Sequence, residues 1–273
     1  GGLVGVKSVI SDCPWNPEAK LLMLTLKTEK AVEKKKNNLV FLIDVSGSMS
    51  PCAKNVREAV MTYLRKIAEM NADAVDVCYK VKILFFNDSV REHSTEFLDP
   101  AQILELLSES DFTCGGGPHI GELYEALDRI FSRKGLIGSI DKGDPLPMFL
   151  AVSDLVETDS AAMEAASRDL YDNRFFRESN RLVLFVGPED RKAAAVRLAK
   201  DEDHVMTISS ALTAQLLAPV MMGSTLVMAD ATHLSGRQDS PQKKPRSMVA
   251  DFTKLTDAVC HAMQGEQIQP ILL

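Results

Sequence analysis

The residues best suited to chemistry fall in three short stretches. Asp44-Val45-Ser46-Gly47-Ser48-Met49 follows the apolar run 39–43. Ser153-Asp154, with Glu157 and Asp159 close behind, follows the apolar run 148–152. Cys114-Gly115-Gly116-Gly117-Pro118-His119 comes just before a helical pattern that starts at Ile120. Two carboxylates and two hydroxyls at strand ends, with a glycine-rich loop beside them, are hard oxygen donors, and these suit Mg²⁺, Mn²⁺ or Ca²⁺. Each has a plainer competing role. Asp44 and Ser46 also suit a strand-to-helix turn whose side chains accept from helix N–H groups, and Glu157 and Asp159 suit solvated caps. His119 fits a helix start, while Cys52 and Cys114 fit buried thiols.

Enzymatic constellations are missing around these residues. No G-x-S-x-G surrounds Ser46 or Ser48. Gly115-Gly116-Gly117 lacks both the G-K-[ST] of a phosphate loop and the spacing of a dinucleotide fingerprint. An aspartyl-nucleophile phosphatase would place a second Asp where Ser46 stands, and no His pairs with an evident nucleophile.

Strands and helices alternate in the order that would position these stretches. The runs 39–43, 81–86, 148–152, 182–186 and 205–208 are apolar on both faces, as strands covered from two sides must be. Val56, Val60, Tyr63, Leu64 and Ile67 mark one face of a helix ending near Met70, opened by Ser50 as cap and Pro51 as first residue. Ile120, Leu123, Tyr124, Leu127, Ile130 and Phe131 mark a second helix, and 160–176 and 188–200 supply two more. Such alternation predicts an α/β fold: a doubly wound, mostly parallel central sheet with helices on both faces. Ligands then bind at the carboxyl ends of the strands, which is where the three stretches lie.

The ends read differently. Pro14-Trp15-Asn16-Pro17 signals a turn, and Leu22, Leu24 and Leu26 alternate after it, so 20–28 is expected as an added strand at a sheet edge. Residues 235–246 read as a polar loop, with a closing helix carrying Phe252, Leu255, Val259 and Met263. The expected organisation is an N-terminal strand extension over 1–36, a core domain over 37–218 and a C-terminal extension over 219–273. No charged residue occurs from Val205 to Ala229, long enough to span a bilayer. Its Ser, Thr, Gln and Pro content favours instead a buried strand, a short core helix and a turn, and no membrane span is expected.

Asp44-x-Ser46-x-Ser48 at the end of a buried strand, followed by a helix and a distant Asp154, resembles the metal-ion-dependent adhesion site of von Willebrand factor A (vWA) domains. The resemblance covers about 37–218. The glycine-rich turn and the stretch around Ser153-Asp154 look most like intracellular bacterial vWA proteins associated with tellurium resistance. Cys13-Pro14-Trp15-Asn16-Pro17 is similar to a segment preceding the vWA domain in other bacterial members. The resemblance implies that Ser46 and Ser48 bind a divalent cation directly, Mg²⁺ first, with Asp44 and Asp154 acting through bound water. A carboxylate of a protein partner then completes the shell, and no bond is made or broken. Thr113, Gly117, Pro118, His119 and Glu157 would be its neighbours. Two departures stand out: Pro118 replaces the family's Thr ligand, and Leu155 replaces a Gly. The site is therefore expected either to bind a cation through fewer donors or to be a metal-free scaffold that assembles through its edge strand and termini.

Composition sets the outer bounds. The chain has 273 residues, 38 acidic against 31 basic, for a formal charge of −7. That sign gives no footing for nucleic acid or anionic membrane. With 45% hydrophobic and 25% charged residues the chain is globular rather than disordered. Five dispersed cysteines without a C-x-x-C pair point to a reducing, cytoplasmic setting. Gly1-Gly2 in place of an initiating Met reads as a trimmed tag or an excised domain.

Overall fold

The computed structural model of the chain describes residues 3–13, 16–29, 34–156 and 160–235, with backbone alone for 3–29 and 233–235. Two compact units emerge, 1–35 and 36–273. In the first, β1 (Leu3–Cys13) pairs antiparallel with β2 (Asn16–Glu29), Leu3 opposite Glu29 and Ile10 opposite Leu22. This corrects the expectation for 20–28: the strand exists, but it pairs with β1 in a two-stranded sheet of its own, not at the edge of the main sheet. A ladder forms most readily with the nearest segment in sequence, and β1 goes unread because Lys7, Ser8, Ser11 and Asp12 break its apolar pattern.

The second unit is built on a six-stranded sheet of β3 (Lys35–Asp44), β4 (Val77–Phe86), β5 (Val90–Glu92), β6 (Met148–Ser153), β7 (Arg181–Val186) and β8 (Val205–Ile208). The order across the sheet is β5-β4-β3-β6-β7-β8. The pairs β3–β6, β6–β7 and β7–β8 are parallel, and the short β5 runs antiparallel to β4. Alternate residues of β3 feed two cores. Leu39, Phe41 and Ile43 meet α1 (Ala53–Asp73), α2 (Pro100–Leu106) and α7 (Ala214–Ser235) on one face. Val40 and Leu42 meet α3 (Ile120–Ile130), α4 (Ala161–Asp172), α5 (Arg174–Glu178) and α6 (Ala193–Ala199) on the other. Every residue of β6 and β7 is buried, which explains their unbroken apolar runs. Each fully buried Leu or Phe here contributes about 2 kcal/mol. The doubly wound α/β arrangement is thus as expected.

Several helices differ in detail. Ser50 does not cap α1. Residues Gly47–Cys52 form a 3₁₀ turn with Pro51 inside it, Ser50 Oγ donates back to Gly47 O at 2.7 Å, and α1 starts at Ala53. The span 160–176 holds two helices because Asn173 interrupts it. Its Oδ1 accepts from Phe175 N (3.0 Å) and Phe176 N (3.2 Å), opening α5, while Nδ2 donates to Asp128 Oδ1 (2.8 Å) and Phe131 O (2.9 Å). Asn suits this because its amide competes with the helix ladder. Both β5 and α2 were unforeseen, although Asp99-Pro100 and Gln102, whose Oε1 accepts from Asp99 N at 3.2 Å, carry a helix-start signature.

The charge-free stretch resolves into β8 and a single 22-residue helix, α7, in place of a short helix and turn. The expected limit at residue 218 lies inside it. Its Ala214–Thr232 portion is long and apolar enough to cross a membrane by length and composition. In this fold α7 packs on α1: Val220, Met221, Val227 and Met228 are buried, and Tyr63 Oη and Thr225 Oγ1 share a hydrogen bond of 2.8 Å. A helix buried around most of its circumference has no polar face to show in sequence. The expected loop and helix beyond Ser235 lie outside the described residues.

At the amino end of β7, Arg181 is 3% exposed. Its Nε donates to Leu198 O at 2.8 Å, Nη1 donates to Phe176 O, and the guanidinium lies 4.3 Å from the Phe176 ring centroid. One buried cation therefore closes the carboxyl ends of both α5 and α6. Burial pulls its pKa down to about 10, so it stays charged at neutral pH.

Candidate functional site

Asp44 is the last residue of β3, and the register Ile43 to Val152 sets it level with Ser153 and one step from Asp154. The site is thus built where two adjacent parallel strands end. Asp44 is 2% exposed and Ser46 is fully buried. Asp44 Oδ1 accepts from Ser46 N at 2.8 Å, and Oδ2 accepts from Ser153 Oγ at 2.5 Å. Ser153 Oγ also accepts from Leu155 N at 3.0 Å, fixing the chain as it leaves β6. Ser46 Oγ and Ser48 Oγ are 3.2 Å apart. Burial pushes the Asp44 carboxyl up to about 6 against the pull of the Ser153 and Ser46 hydrogen bonds, and the Asp154 charge adds to the rise.

Among the described residues, buried Asp154 Oδ1 has no hydrogen-bond partner, and no Lys, Arg or His pairs with Asp44 or Asp154. Two touching hydroxyls, an orphaned carboxylate oxygen and a second carboxylate held in place form a donor set that fits a hard divalent cation. No group of three or more His, Cys, Asp and Glu suited to a metal occurs among the described residues, so the hydroxyls are essential to any such site. Cys52 lies behind the loop, its Sγ 3.3 Å from Met49 O, and burial first, then the neighbouring Cys114, push its thiol up to about 11. Burial raises Cys114 as well. Neither offers a thiolate at neutral pH.

The glycine-rich loop is stitched to this turn through main-chain atoms. Gly115 N donates to Val45 O at 2.9 Å and Gly47 N donates to Gly116 O at 3.0 Å. Gly116 has φ +74°, and a Cβ there would come within 2.5 Å of the Asp88 carboxylate. Asp88 Oδ1 accepts from Gly117 N at 2.8 Å and lies 3.7 Å from His119 Nε2. Pro118 is half-buried and brings no donor. Thr113 is exposed and ends the preceding turn, its N–H donating to Ser110 O at 3.2 Å, and no hydrogen bond among the described residues links it to the four oxygen donors. His119 faces Asp88 rather than those donors, and Glu157 and Asp159 lie outside the described residues. Ser153 was singled out in sequence with Asp154, but its role in holding Asp44 shows only in the strand register. Asp88, which holds the loop, escaped the sequence reading, and its position just after the run 81–86 was the available signal.

No known family's sequence profile matches the chain, and no curated protein matches it. Solved structures do. A von Willebrand factor type A protein from Catenulispora acidiphila aligns at 17% identity over 75% of this chain and 45% of its own, with a TM-score of 0.45. Proximal thread matrix protein 1 of the mussel byssus aligns at 13% identity over 72% of this chain and 48% of its own, with a TM-score of 0.51. The pilus adhesin SpaC from Lactobacillus rhamnosus GG, in an open conformation, aligns at 12% identity over 84% of this chain and 34% of its own, with a TM-score of 0.53. The chain spans less than half the length of each. The fold is shared with the matrix protein and the adhesin; identities this low carry the fold alone.

Proposed function

We propose that the chain is a non-enzymatic, vWA-type protein-interaction module that holds a divalent cation, Mg²⁺ first, at Asp44, Ser46, Ser48 and Asp154 and docks a partner's carboxylate there. The observation that carries this is the orphaned Asp154 Oδ1 beside the buried Asp44 and the touching Ser46 and Ser48 hydroxyls, at the carboxyl ends of β3 and β6. A bound cation with few anionic ligands would supply an electrophilic point for a partner's Asp or Glu. The chain's own residues hold the donors. Ser153 and Ser46 N fix the Asp44 carboxylate, and the glycine-rich loop braces the turn. Among the described residues no His hydrogen-bonds to Ser46 or Ser48, and the one carboxylate bonded to Ser46, Asp44, is buried and also held by Ser153, which supports binding over catalysis. The names of the adhesin and the matrix protein that share the fold agree with an interaction role. The five dispersed cysteines, none in a C-x-x-C pair, support the intracellular setting, and the likeness to tellurium-resistance-associated proteins rests on sequence.

Pro118 favours a second reading, a metal-free scaffold of the same shape. Titration calorimetry with Mn²⁺ separates the two. The first reading expects saturable binding, weakening toward millimolar as in modules with few charged ligands, and its loss in Asp154→Asn and Ser48→Ala. Absence of binding at about ten times that concentration, with partner affinity unmoved by chelator, establishes the second.

A further inference from the structure

Directly beside the glycine-rich loop, the amino ends of α3 and α4 frame a groove of about 540 Å³. Pro118, Ile120, Ala162 and Met163 supply its apolar lining, and Glu122 and Glu125 its charge. Both glutamates are exposed, and no Lys, Arg or His among the described residues lies within salt-bridge distance of either. Glu122, in the first turn of α3, suits the helix dipole on its own account. Glu125, a turn further in, stands four residues before Arg129 on the helix surface, without a salt bridge to it. His119 also lines the groove, with Nε2 3.7 Å from Asp88 Oδ1.

We infer that this groove receives a Lys or Arg side chain of the partner whose carboxylate meets the cation site, so that the partner is recognised at two points of opposite charge. An apolar lining with carboxylates beyond it matches a side chain that is aliphatic along its stem and cationic at its tip. Charge complementarity excludes an acidic occupant, and Gly117, Pro118 and His119 join the groove to the loop that braces Ser46 and Ser48. The inference rests on the proposed carboxylate docking for its second point but not for the groove itself. Two points on one partner also raise affinity without new contacts elsewhere, through effective concentration.

The test is an amide NMR titration of the whole chain with two probes. N-acetyl-arginine amide is cationic and carries no carboxylate; N-acetyl-citrulline amide is its neutral counterpart. The arginine probe is expected to move the Gly121, Glu122 and Met163 signals, with or without Mg²⁺, and the citrulline probe to leave them in place. Glu122→Gln/Glu125→Gln, an exposed pair whose replacement spares the fold, is expected to weaken arginine binding roughly tenfold. Equal response to both probes, or undiminished binding by the double variant, overturns the inference. A parallel titration with N-acetyl-glutamate amide in Mg²⁺ reads the cation site. If that probe alone binds, the groove is rejected and the docking site stands. If only the arginine probe binds, the groove stands and carboxylate docking falls.

Discussion

Asp44 and Arg181 are both buried charges at strand termini, yet they sit at opposite ends of the sheet and in opposite states of satisfaction. Arg181, at the start of β7, gives its donors to two helix-terminal carbonyls and stacks on Phe176. Asp44, at the end of β3, has Ser46 N and Ser153 Oγ but, among the described residues, no basic side chain, and the Asp154 Oδ1 beside it has no hydrogen-bond partner there. The amino ends of the strands hold the domain together. The carboxyl ends of β3 and β6 carry a local electrostatic cost of the kind the proposed cation would relieve.

Breaking the satisfied end should cost most. Arg181→Met is expected to lower stability by about 3 kcal/mol, because Leu198 O and Phe176 O lose their donor inside the protein. Urea unfolding measures this, and a shift below about 1 kcal/mol would show that water reaches those carbonyls. Asp44→Asn should act with the opposite sign. The folded-state pKa of Asp44, about 6, lies above its ordinary value, so the folded protein binds the extra proton. In chelator, stability should therefore be greatest below about pH 4 as far as this group is concerned, and fall by about 3 kcal/mol as pH rises through 6. Asp44→Asn should flatten that slope, stabilise the metal-free chain by about 2 kcal/mol at neutral pH and abolish Mn²⁺ uptake. A destabilised variant would remove the contrast between the two ends.

Smaller effects sharpen it. Gly116→Ala forces a side chain onto φ +74° and against Asp88, at an expected cost of about 1–2 kcal/mol. The effect should shrink when Asp88→Ala is added, as thermal unfolding of the single and double variants can show. Ser153→Ala should cost about 1 kcal/mol and raise the Asp44 pKa further, read by carboxyl NMR, since one of the hydrogen bonds favouring the charged form is gone.

Why the sequence reveals one end better than the other follows from the same physics. The central strands were legible because burial on both faces demands unbroken apolar runs, and Asp44, Ser46, Ser48 and Asp154 could be picked out as the polar residues that end them. β1 was not, because polar residues interrupt its pattern; nor was the length of α7, because a helix buried around most of its circumference shows no periodicity. Ser153 and Asp88 stand at strand ends in the sequence, but what they hold is set by cross-strand register and loop packing, which linear spacing does not show. Asn173 breaks α4 from α5 using a side chain that reaches a residue 45 positions earlier. Arg181 stood just before the apolar run 182–186 with nothing in its neighbours to announce two helix termini.

The bonds from Gly115 N to Val45 O and from Gly47 N to Gly116 O have a consequence for substitution. They belong to the main chain, so an exchange of side chains that spares these glycines leaves them in place. The shape of the turn therefore does not depend on the side chain at position 118. Under the proposed function, an exchange of Pro118 for a hydroxyl residue would add a donor for the cation without rebuilding the turn.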